Sequence, residues 1–119
     1  MDRRFSLIEA RAFLPEVVEA SRRVLSVRAD AAELAVDLRV GGPSALGGIP
    51  ELKGLQARLH SALDWFGEHG LRVMSWAPLL VDLPGERDGE PVAWCWLEGE
   101  TELAWYHRED VGFAGRRLI

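Results

Sequence analysis

The sequence predicts an α+β fold: a long antiparallel helical hairpin packed against a small C-terminal antiparallel sheet. Three observations predict it. Apolar side chains recur at steps of three and four as far as Phe66, then at steps of two after Gly70. A decapeptide with four glycines and two prolines, Gly41 to Pro50, splits the helical part in two. Trp94, Trp96 and Trp105 sit on two short alternating runs near the C-terminus. At 119 residues the chain is expected to form one domain, with the hairpin over 6–69, the linker over 41–50, a β region over 71–107 and a C-terminal strap over 108–119.

The first helix begins at a capping box. The Ser6 oxygen is placed to accept a backbone N–H near Glu9, and Glu9 to reach back, while Phe5 staples the entry. Its stripe runs Leu7, Ala10, Leu14, Val17, Val18, Ser21, Leu25, then thins through Arg28, Ala31, Ala32, Ala35 and Leu38. Pro15 lacks an N–H, so a kink or a break is expected there. Such a long, alanine-rich stripe calls for a partner along its length. The linker cannot be a regular element. It follows a helix and carries no suitably placed lysine, so it does not read as a phosphate loop. The second helix is expected from Pro50 to His69, with the stripe Leu52, Leu55, Leu59, Ala62 or Leu63, and Phe66, and with Gly70 as its C-cap.

Leu71–Trp76 and Leu79–Leu83 follow as extended runs, and Pro84–Gly89 reads as a turn. Pro91–Leu97 and Glu100–Tyr106 read as a hairpin around Glu98-Gly99. That two-residue turn sets Trp94 opposite Leu103 and Val92 opposite Trp105. One face then carries Val92, Trp94, Trp96, Leu103 and Trp105, and should pack on the helices. The other carries Ala93, Cys95, Glu102, Ala104 and Tyr106.

Nineteen acidic against fourteen basic side chains give a net charge of −5, with Lys53 the only lysine. This balance excludes a general nucleic-acid surface. No stretch approaches the roughly 20 apolar residues of a membrane span. Met1-Asp2-Arg3-Arg4-Phe5 lacks the apolar run of a signal peptide, so a cytoplasmic protein is expected. A single cysteine, Cys95, excludes an intrachain disulfide. Lying mid-strand between two tryptophans with no histidine placed to activate it, Cys95 reads as packing.

His107 is the leading site residue. It stands where the last strand ends, with Glu109 and Asp110 directly after it, and Asp88 at the far end of the hairpin ladder. One imidazole with carboxylates suits a divalent metal, held by His107, Asp88 and Glu109. The same groups suit acid–base catalysis by His107, Glu109 and Asp110. Arg116, Asp88 and Trp105 would then bind substrate. Arg116 and Arg117 have the forked geometry that clamps a carboxylate or phosphate, with Gly112 and Gly115 allowing close approach. A terminal strap anchored by Phe113 is the structural reading of the same segment. His60 with Asp64 makes only half of a metal site, and His69 suits a helix end.

The opening Phe5-Ser6-Leu7-Ile8-Glu9-Ala10-Arg11-Ala12-Phe13-Leu14-Pro15 resembles the start of DUF2203 proteins, a family of small prokaryotic proteins. So do Leu80-Val81-Asp82-Leu83-Pro84, Arg87-Asp88-Gly89, Cys95-Trp96, Trp105-Tyr106-His107 and Asp110 to Arg116. In that family the ending typically reads aromatic-His-Glu, whereas here Arg108 separates His107 from Glu109. The resemblance implies the fold and carries no established activity. The expected function is a homodimeric structural or protein-interaction module. The alternative is a metal-dependent or acid–base enzyme acting on a small anionic molecule.

Overall fold

A computed structural model describes residues 3–119; Met1 and Asp2 lie outside the described residues, and with them that part of the leader reading. Two helices, α1 (Leu7–Val40) and α2 (Ile49–Glu68), precede a five-stranded antiparallel sheet, β1 (Arg72–Trp76), β2 (Leu79–Arg87), β3 (Glu90–Leu97), β4 (Trp105–Arg108) and β5 (Arg117–Leu118), in the order β1-β2-β3-β4-β5. The α+β architecture is the expected one.

The capping box is present: the Glu9 amide donates to Ser6 Oγ and the Ser6 amide to Glu9 Oε1, each at 3.1 Å. These bonds satisfy donors that the first helical turn cannot pair internally. α1 then runs 34 residues, about 51 Å at 1.5 Å per residue, with Pro15 inside it. It is one helix rather than two. Its buried side is Ala10, Leu14, Val17, Ala20, Ser21, Val24 and Leu34, a narrow apolar stripe. α2 buries Leu55, Ala62 and Phe66. Its end is set by Gly70 at φ 79°, where a side chain would be strained. The Leu71 amide reaches the Phe66 carbonyl (2.9 Å) and the Gly70 amide that of Gly67 (3.1 Å). This double closure is a Schellman motif, with Gly70 one residue beyond the cap, His69.

β2 is longer than expected. Pro84 to Arg87 belong to the strand, and only Asp88 (φ 52°) and Gly89 (φ 81°) make the turn. Pro84 is tolerated because β1 has ended: its last register partner on this side is Arg72, opposite Asp82. Phe5 takes over the exposed edge. Its amide donates to the Pro84 carbonyl at 2.7 Å, and it bridges to Gly85. A side chain at Gly85 would collide with the Trp94 indole and the Phe5 carbonyl, so the position requires glycine.

The expected β3–β4 register is wrong. Trp94 faces Tyr106 and Cys95 faces Trp105, so the pairing is displaced by three residues from the one that a two-residue turn imposes. An odd displacement exchanges the faces of the returning strand. Trp105 therefore leaves the tryptophan face and Tyr106 joins it. The cause lies in two glutamates. Glu98 accepts from the Leu79 amide (2.6 Å) and binds Arg28 (2.7 and 3.0 Å). Glu100 accepts from the Leu97 amide (2.7 Å) and binds Arg116. With both carboxylates held, residues 98–104 form a loop, and Leu103 enters the core from it.

The front face of the sheet, Val81, Leu83, Val92, Trp94 and Trp96, joins Phe5, Val17, Val24 and Phe66 in one core. Trp94 Nε1 donates to the Phe5 carbonyl and Trp96 Nε1 to the Glu100 carbonyl, both at 2.9 Å, so neither buried indole is left unsatisfied.

Candidate metal or acid–base centre

The back face of the sheet is polar where three strands meet. Asp82 on β2 is the cross-strand partner of Cys95 on β3. His107 on β4 faces Ala93, one diagonal step away, and points to the same side. The three residues are 4, 0 and 3 % exposed. One ligand-type atom from each, a carboxylate oxygen, Sγ and an imidazole nitrogen, lie within 4.8 Å of one another. Among the described residues this is the one such group of three.

Hydrogen bonds orient the imidazole. His107 Nδ1 lies 2.8 Å from the Arg108 carbonyl, which can only accept, so Nδ1 carries a hydrogen. Nε2 lies 3.1 Å from both oxygens of Asp82. Imidazolium with carboxylate, or imidazole with carboxylic acid, each satisfies that contact with one shared proton and leaves the buried pair without net charge.

Cys95 is not placed as a nucleophile. Burial, and then the charge of Asp82, push its thiol up to about 12, although the Arg116 guanidinium pulls the other way. The thiol thus stays protonated near neutrality. Both nitrogens of His107 are already engaged, so none is free to take its proton. A cation at the same point reverses this balance, because it stabilises a coordinated thiolate and the Asp82 carboxylate together. The donor set, one oxygen, one sulfur and one nitrogen with the other imidazole N–H fixed by a carbonyl, is geometrically compatible with metal coordination.

Charged residues close over the cluster. Arg72 pairs with Glu109 at 2.8 Å. Arg116 holds Glu100 at 2.7 Å and the Cys95 carbonyl at 3.3 Å, its guanidinium over the rings of Trp105 (4.9 Å) and Phe113 (5.0 Å). Its Nε is buried with no hydrogen-bond partner.

The expected site residues are thereby dispersed. His107 is in the cluster. Glu109 and Asp110 are exposed and bound to Arg72 and Arg108, whose hydrogen bonds lower both carboxyl pKa values. Asp88 is exposed in the β2–β3 turn. Arg116 and Trp105 lie beside Cys95, with Arg116 committed to Glu100 rather than open. His60 stands on the surface 3.8 Å from Asp64, and His69 closes its helix on the Trp65 carbonyl at 2.7 Å. Asp82 and Cys95 are the members that sequence reasoning missed. The available signal was Asp82 itself, a single carboxylate inside the apolar run Leu79–Leu83, where a charge is retained only with a partner.

No helix among the described residues is long and apolar enough to cross a membrane. No curated protein and no solved structure matches the chain. A family model does match, over residues 3–119, and the chain belongs to that family, DUF2203, described as an uncharacterized conserved protein.

Proposed function

We propose that the protein binds one divalent transition metal of the zinc class through Asp82, Cys95 and His107. The observation that carries this reading is the convergence of three different buried donor atoms within 4.8 Å. A mixed oxygen, sulfur and nitrogen set suits zinc, cobalt or iron better than magnesium or calcium, which prefer oxygen alone. Three protein ligands leave a further position for water, where a metal supplies Lewis acidity. Residues no more than 4 % exposed offer no opening to a substrate, so the reading extends first to a metal that pins three strands together. Turnover of a small anionic molecule is its catalytic extension, and it requires the Arg116–Glu100 pair beside Cys95 to open.

Elemental analysis of protein purified without chelator tests this reading, with about one equivalent of metal per chain expected. Cobalt substitution should add a sulfur-to-metal charge-transfer band that Cys95→Ser abolishes. Substoichiometric metal together with no cobalt band would remove the proposal.

The homodimeric module rests on a different observation, the outward apolar side chains Ile8, Val36, Val40 and Ile49 on the two helices. Sedimentation at micromolar concentration decides it: a dimer supports the module, and a monomer removes it.

A further inference from the structure

A cavity lies on the opposite face of the sheet from the Asp82–Cys95–His107 cluster. Its volume is about 430 Å3, and its lining includes Arg87, Arg108 and Arg117 around Tyr106. Strand alternation makes it separate: Tyr106 and His107 are consecutive and project to opposite sides. Three arginines on one cavity are conspicuous in a chain of charge −5 with fourteen basic residues.

Their partners differ. Arg108 is held by Asp110 at 2.6 Å. Arg87 and Arg117 pair with no carboxylate among the described residues. Arg87 rests on the Tyr106 ring, its central carbon 4.2 Å from the centroid. Stacking fixes the guanidinium plane and leaves its N–H edge available for a planar or tetrahedral oxyanion. Arg117 is the cross-strand partner of the same tyrosine, on the next strand. One guanidinium thus covers the phenol ring and a second arginine lines the same cavity from the neighbouring strand, on strands whose spacing is fixed by hydrogen bonds. Asp88 and Glu90 also line the cavity, so the site favours a small anion that reaches the arginines without crossing the acidic wall.

We propose that this cavity is a recognition site for a small molecule bearing an oxyanion, a phosphate or carboxylate group, held by Arg87 and Arg117 with the Tyr106 hydroxyl as a third donor. The anion expected of Arg116 on sequence grounds is assigned instead to its neighbour Arg117, because Arg116 is occupied by Glu100.

Titration of the full chain with inorganic phosphate, and separately with succinate, followed by amide and arginine side-chain NMR, tests the assignment. Saturable shifts confined to Tyr106, Arg117, Gly115 and Arg87 are expected, with a Kd on the order of 1 mM or tighter for at least one of the two probes. Arg87→Gln and Arg117→Gln should each weaken that binding about tenfold, the loss of one charge-assisted contact. Arg22→Gln, which alters a surface arginine paired with Glu19, should leave it unchanged. Binding of phosphate alone identifies phosphate esters as the ligand class, and binding of succinate alone identifies carboxylates. No saturable shift with either probe overturns the proposal, as does equal affinity in both cavity variants or a response spread over all arginines. Each variant changes an arginine at the sheet margin, and an unaltered melting temperature confirms that a loss of binding is not a loss of fold.

Discussion

The two faces of the same sheet are stabilised in different ways. The front face is apolar and aromatic where the helices pack on it, with arginines only at the margin around Tyr106, and its two indole N–H groups are satisfied by backbone carbonyls. The back face buries a carboxylate, a thiol and an imidazole beside the ion pairs Arg72–Glu109 and Arg116–Glu100. An apolar face tolerates exchange of one hydrophobe for another of similar volume, because its attraction has no direction. The polar face tolerates the loss of neither His107 nor Asp82 alone, because each satisfies the other.

The largest effect is expected from the front. Trp94→Ala should cost about 3–5 kcal/mol in denaturant unfolding, by loss of a buried aromatic and of the Phe5 contact. His107→Ala should come next, also at several kcal/mol, because Asp82 is then left buried without a partner. The comparison would break if the double variant Asp82→Val, His107→Phe were as unstable as His107→Ala. On the present reading removing both members together is expected to be far milder, since an apolar pair leaves no unsatisfied group.

Cys95 sharpens the contrast. With its thiol pushed up to about 12 and no exposed surface, it should react with iodoacetamide at pH 8 far more slowly than in the unfolded chain. Rapid labelling without loss of structure would show that the back face opens.

A smaller effect belongs to the loop that sets the register. The Arg28 hydrogen bonds hold the Glu98 carboxyl below its ordinary value of 4.5. A depressed carboxylate contributes stability above the unfolded-state pKa, and that contribution is lost as pH falls through the folded-state value. Glu98→Gln should therefore lower stability by about 1 kcal/mol near neutrality and flatten the decline below pH 4.5, read from thermal melts across pH. An unchanged acid limb would deny Glu98 this part. The smallest effect is expected at Arg87→Gln, about 0.5 kcal/mol, because it removes only a marginal cation resting on the half-buried Tyr106 ring.

Much of this arrangement is legible in the chain. Ser6 and Glu9 encode their own cap, Gly70 its own helix end, and Asp88-Gly89 its own turn, because each depends on residues a few positions apart. The β3–β4 register is not legible in the same way. The span from Glu98 to Ala104 reads locally as a tight turn with a strand after it, yet two of its three carboxylates, Glu98 and Glu100, are claimed by Arg28, Arg116 and the Leu79 amide, which lie 16 or more positions away in sequence. Once that register moves by three, His107 changes company from Glu109 and Asp88 to Asp82 and Cys95.

By itself, then, the sequence determined two helices, the change of period at Gly70 and an aromatic sheet face, since periodicity and capping are local properties of backbone geometry and side-chain size. The tertiary structure alone decided which side of β4 faces which, and hence that an aspartate, a cysteine and a histidine 25 positions apart at the extremes share one buried point. Strand pairing couples distant segments, and a face is assigned only when both partners and the connection between them are in place.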